Sequence, residues 1–132
     1  MRDAAQSLVE RYRTITPGGL RLAIWYEGDE HDVVHARDDV VEMDSPEELE
    51  EKVKQLVVEG HSDPPMQESF RQYGVMSAVV RQFENVVVIH FPVDEFAGLA
   101  VTVDADVAPS LDTLVDVGAD ALDELRTGHR SE

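Results

Sequence analysis

The chain has no cysteine, only two lysines (Lys52 and Lys54), a single tryptophan and few aromatics of any kind, about 6% of its 132 residues. Without cysteine there is no disulfide framework, no thiolate metal site and no cysteine nucleophile. Basic residues are scarce, 11 against 28 acidic ones. This argues against nucleic acid as a partner, because binding a duplex requires lysine and arginine to displace its counterions. The arginines are scattered, although Arg11, Arg13 and Arg21 stand close enough in sequence to form a local basic patch. No apolar run approaches the roughly 18 residues of a membrane-spanning helix, and Met1-Arg2-Asp3-Ala4 lacks the apolar core of a signal peptide. The expectation is a cytoplasmic protein with no membrane insertion.

What the chain has in excess is acid. A formal charge of −17 lies far beyond the magnitude of about 2–8 that keeps a small domain soluble. Such a surface repels itself in ordinary salt, whereas at molar salt the Debye length falls to about 3 Å and the repulsion is screened. Abundant Asp and Glu with little Lys therefore point to a halophilic protein built for a salt-saturated cytoplasm. The acid is spread along the whole chain, and Val, Leu and Ile are patterned between the charges. This reads as an acidic shell around a core, not as disorder. The length suits one domain, placed at residues 1–126 with a frayed acidic tail at 127–132.

The patterning predicts the elements. Ala4, Ala5, Leu8, Val9 and Tyr12 make an amphipathic helix over residues 3–14, which Thr16-Pro17-Gly18-Gly19 ends. Leu20 to Glu27 alternates, placing Leu20, Leu22, Ile24 and Tyr26 on a buried face and Arg21, Ala23 and Trp25 on the other. Gly28 to His31 is a turn, and 32–37 pairs back as a hairpin. Ser45-Pro46-Glu47-Glu48 is a helix start: Ser45 caps, Pro46 takes the first helical position and Glu48 completes a capping box. Leu49, Val53, Leu56 and Val57 form that helix's apolar stripe, and Gly60 is expected to stop it. Residues 61–65 read as a linker, and Met66, Phe70 and Tyr73 as a short helix closed by Gly74. Strand-like runs at 75–82, 86–92 and 96–103 predict an antiparallel meander, with Val86-Val87-Val88-Ile89 at the centre of the sheet. A last helix begins near Pro109 and Ser110, with Leu111, Leu114, Val115, Gly118, Leu122 and Leu125 facing the core. The fold class is α+β: a five-stranded antiparallel sheet with helices packed on it, in the order α-β-β-α-β-β-β-α with a short extra helix before the meander.

That order resembles the roadblock/LC7 domain and, more broadly, the longin and profilin-like folds. Leu20 to Glu27, followed by His35-Ala36-Arg37-Asp38-Asp39-Val40, also resembles uncharacterised small haloarchaeal proteins. Arg81 to Val87 and Leu99 to Asp104 fit the same group. The roadblock resemblance implies a regulatory module without catalytic residues, dimerising through its second helix and the neighbouring strand, with small GTPases or cytoskeletal factors as partners. GAF and PAS sensor domains share a similar succession of elements, and in them a small ligand lies between sheet and helices.

Candidate chemistry is sparse. His31 and His35 stand among Glu30, Asp32, Asp38 and Asp39, but side chains four apart on a strand lie about 13 Å apart, so a solvated acidic hairpin is the better reading than a metal site. His90 sits in an apolar strand, where a hydrogen-bonded core histidine is the ordinary role. No triad spacing, Walker motif or dinucleotide motif is present. No metal, cofactor or catalytic residue is therefore expected, and the protein is read as a non-enzymatic regulatory or scaffolding domain acting as a homodimer. Leu49, Val53, Leu56, Val57 and Trp25 are its candidate interface. The alternative is a small-molecule sensor binding its ligand beside His90, Trp25 and Tyr73.

Overall fold

A computed structural model describes residues 2–43, 45–62, 72–74, 76–94 and 96–130. The chain runs α1 (Arg2–Ile15), β1 (Leu20–Glu27), β2 (Glu30–Ala36), α2 (Asp38–Met43), α3 (Pro46–Ser62), β3 (Val79–Gln82), β4 (Val86–Asp94), β5 (Ala97–Asp104) and α4 (Leu111–Arg130). The strands form one five-stranded sheet in the order β2-β1-β5-β4-β3, with every neighbouring pair antiparallel. The expected fold class and the meander of the last three strands are therefore what the chain adopts.

The centre of the sheet differs from expectation. β1 pairs with β5 through Leu22↔Thr102, Ile24↔Ala100 and Trp25↔Leu99, so β5 is the middle strand. β4, which holds the Val86-Val87-Val88-Ile89 run, stands between β5 and the edge strand β3. Its run is apolar on both faces because helices cover both sides of the sheet. On one side α1 and α4 bury Leu8, Val9, Tyr12, Leu114 and Leu122 against Ala23, Ile89, Phe91, Leu99, Val101 and Val103. The buried Tyr12 hydroxyl joins the two helices, donating to the Leu114 carbonyl at 2.6 Å. On the other side α3 places Val53 and Leu56 over Leu22, Ile24, Val88 and Ala100. β1 is consequently buried on both faces rather than one. Trp25 lies half-buried against the α1/α4 core instead of presenting an exposed aromatic surface.

A glycine lets each helical layer settle on an aromatic of the sheet. A Cβ on Gly118 of α4 would stand 2.1 Å from the tip of the Phe91 ring, and one on Gly60 of α3 would stand 2.2 Å from the Tyr26 hydroxyl oxygen. This corrects the expectation that Gly60 stops α3: the helix continues to Ser62, and the glycine is there because Tyr26 leaves no room for a side chain. The start of α3 is as the capping box implies, with the Glu48 backbone N–H donating to Ser45 Oγ at 3.2 Å.

Other boundaries shift. α2 was not anticipated, β2 starts at Glu30 and β3 only at Val79, α4 runs past the expected boundary at 126 to Arg130, and Leu111 at its start is exposed. Of the short helix expected before the meander, Met66 and Phe70 lie outside the described residues, as do 63–65 of the linker. Tyr73 is described and is 75% exposed.

Candidate functional site

The side of the sheet under α3 holds a buried polar cluster. Cα pairing puts Arg81 opposite Val88, and Val79 opposite His90, on this face. His90 is 1% exposed, with Nε2 2.9 Å from the Leu56 carbonyl of α3 and Nδ1 3.3 Å from Nη1 of Arg81. Arginine can only donate, so Nδ1 accepts and the Nε2 proton goes to Leu56. The neutral imidazole thus ties β4 to α3. Arg81 also reaches Glu59 of α3 at 3.9 Å. His90 is the hydrogen-bonded core histidine that its strand suggested.

At the end of the sheet where β1 begins, four charges interlock. Arg37 donates to both oxygens of Asp39, to both oxygens of Asp104 and to the Gly18 carbonyl, which spends all five of its N–H groups. Arg21 adds a bond from Nη1 to Asp104 at 3.0 Å. Hydrogen bonds from Arg37 hold the Asp39 carboxyl below its ordinary range, and separate bonds from Arg37 and Arg21 do so for Asp104. The two carboxylates in turn push the Arg37 guanidinium up, Asp39 most of all. The Arg37-Asp38-Asp39-Val40 run therefore has a structural task. It pins the start of α2 and the end of β2 to the end of the central strand.

Between these two clusters lies a cleft of about 350 Å³. Its floor is Leu22, Val86, Val88 and Thr102 of the sheet. Lys52, Gln55, Leu56 and Glu59 of α3 form one wall, and Val40, Phe83 and Arg21 complete the lining.

The sequence candidates separate on this frame. Val53 and Leu56, expected at an interface, are 3% and 7% exposed and pack on the sheet of their own chain, with Leu49 and Val57 half-buried beside them. They face inward because α3 must cover Leu22, Ile24 and Val88. His90 and Trp25, proposed around one ligand, lie on opposite faces of the sheet. Neither they nor Tyr73 line the cleft. The indole Nε1 of Trp25 is buried with no hydrogen-bond partner among the described residues. His35 accepts from Arg13 at 3.2 Å and donates to the Leu20 carbonyl at 3.1 Å. Among the described residues no group of three or more His, Asp and Glu side chains is placed to hold a metal ion, and no helix is long and apolar enough to cross a membrane. Sequence reasoning missed Arg21, Arg37, Arg81 and Asp104. The available signal was an arginine inside an apolar strand of a chain so poor in cations.

The chain belongs to the family described as Domain of unknown function (DUF7522), whose model matches residues 6–123. No curated protein matches it. Among solved structures it is similar to one described as "MglB with tetrameric arrangement", with 20% identity and a TM-score of 0.54 over 94% of this chain and 85% of that one. It is also similar to MglC from Myxococcus xanthus, with 15% identity and a TM-score of 0.47 over 92% and 98%. The likeness to MglB is one of fold, and it supports the roadblock-like fold suggested by the element order.

Proposed function

We propose that the protein is a non-enzymatic regulatory or scaffolding domain of a high-salt cytoplasm that acts by protein–protein association, first with a second copy of itself. The observation that carries this reading is the contrast between the two edges of the sheet. β2 offers exposed Glu30 and His31 and half-buried Asp32 at one edge, and two copies meeting there would oppose like charges. β3 is the sequence Val79-Val80-Arg81-Gln82, with no carboxylate and its first three residues half-buried. Phe83, directly after it in the chain, is 59% exposed, Tyr73 before it is 75% exposed, and Val58 is exposed on α3 at 57%. Among the described residues β3 is paired on one side only, and an unpaired strand edge in a region with exposed apolar side chains marks an association surface.

Two copies joined at β3 bury these side chains and continue the sheet from one subunit into the next. The interface is then β3, Tyr73, Phe83 and the outer side of α3 at Val58, in place of the inward-facing Val53 and Leu56. MglB, similar in fold, is described in a tetrameric arrangement, which accords with association as the mode of action. A small GTPase or cytoskeletal factor remains the partner class that the roadblock resemblance suggests.

Light scattering in molar KCl tests the reading. The wild-type chain is expected at twice its 14.7 kDa, and Tyr73→Asp with Phe83→Asp is expected to return it to a folded monomer. A wild-type monomer at all concentrations would refute the homodimer.

A further inference from the structure

We propose that the cleft beneath α3 binds a small amphipathic carboxylate, its apolar body lying on Leu22, Leu56, Val86 and Val88 and its carboxylate held by Arg21. This goes beyond the association reading and does not rest on it. The cleft, at about 350 Å³, falls within the range of about 300–1,000 Å³ typical of small-ligand sites, which pair mostly apolar walls with a few convergent polar groups.

Its charge is opposite to that of the molecule around it. The chain carries a formal charge of −17, yet the ionisable residues lining the cleft are Arg21, Lys52 and Glu59. Of these, Glu59 is already matched to Arg81.

Arg21 gives the more specific argument. Its side chain is 23% exposed and donates to Asp104 through Nη1. Its Nε and Nη2 groups have no partner among the described residues. Donors left unmet in a partly desolvated setting cost free energy, and a carboxylate accepting two parallel N–H bonds is the ligand a guanidinium fork fits best. Arg37 nearby is not the receptor, since all five of its donors are taken. Thr102 also lines the floor. A bare inorganic anion would leave the apolar floor uncovered, and a neutral hydrocarbon would leave Arg21 unmet.

The test uses the full chain in molar KCl, with potassium octanoate and octanol as the probes, followed by methyl NMR. Octanoate is expected to shift the methyls of Leu22, Leu56, Val86 and Val88 saturably. Arg21→Gln is expected to weaken octanoate by about tenfold or more, the worth of charge-assisted hydrogen bonds, while changing octanol by less than about twofold. Val86→Phe, which fills the cleft, is expected to abolish both. The proposal is overturned by the absence of a saturable octanoate shift, by equal binding to Arg21→Gln, or by binding that survives Val86→Phe. If Arg21→Gln does not fold, tighter binding of octanoate than of octanol to the wild-type chain, together with Val86→Phe, decides the matter. A dimer that ignores octanoate removes this inference and leaves the association reading standing.

Discussion

The two faces of the sheet are built differently. Under α1 and α4 the side chains close completely: Leu8, Tyr12, Ile89, Phe91, Val101, Val103, Leu114 and Leu122 are all 0% exposed. On the other face, among the described residues, one long helix, α3, supplies most of the cover. Its fully inward residues, Val53 and Leu56, leave room for a cleft, and a histidine and arginines take positions that leucine or isoleucine fill on the other side. The first face holds the fold together. The second, with the β3 edge beside it, has the spare surface, polar groups and space on which the proposed association and ligand binding rest. A domain of this size can leave one face loosely covered because the other supplies most of the apolar burial that opposes chain entropy.

Unfolding by denaturant at fixed molar salt is the sharpest way to break this comparison. Phe91→Ala is expected to cost about 4 kcal/mol, the range for a large aromatic removed from a closed core. Leu56→Ala is expected to cost about 2 kcal/mol, the low end for its class, because the site already borders a cleft and can relax. Equal losses would mean that the faces are equally packed.

The glycines come next. Alanine in place of a mid-helix glycine ordinarily gains about 0.5–1 kcal/mol. Here Gly118→Ala and Gly60→Ala are both expected to lose about 1–3 kcal/mol, since the new methyl meets Phe91 or Tyr26. A gain at Gly60 alone would show that α3 can lift from the sheet where α4 cannot.

The charge cluster at the end of the sheet gives a pH signature. The Asp39 and Asp104 carboxyls are held below their ordinary value of 3.8. Their contribution is therefore present above about pH 4 and disappears as the pH falls through the lower values of the folded state. Asp104→Asn is expected to lose about 2 kcal/mol at pH 7, as for a hydrogen-bonded charge, and the gap to wild type should close in acid. A gap that does not narrow at all as the pH falls would assign the loss to packing.

The smallest effect is expected at Trp25→Phe. It removes a buried N–H with no partner among the described residues, so stability should change by less than about 0.5 kcal/mol.

Local signals were legible in the chain and distant ones were not. Alternation gave β1 its residues Leu20–Glu27, and Ser45-Pro46 with Glu48 gave the start of α3, because strand alternation and helix capping are written within a few neighbouring residues. The pairing of β1 with β5 joins residues about eighty positions apart, such as Leu22 and Thr102, and leaves no trace in either segment. Misplacing the central strand followed from that. So did the one-sided reading of β1 that exposed Trp25, since only the three-layer arrangement shows both faces covered. Gly60 was misread because its role depends on Tyr26 of another element. The polar cluster stayed hidden for the same reason: Arg37 and Asp39 are neighbours in sequence, but Asp104 meets them only through the fold.

The most direct test of the working side is amide hydrogen exchange at the two sheet edges as protein concentration is raised in molar KCl. If the sheet continues through β3 into a second copy, the outward amides of Val79–Gln82 should become protected with concentration while those of Glu30–Ala36 stay unchanged. Exchange at β3 that is fast and independent of concentration, or protection appearing at β2 instead, would contradict the account.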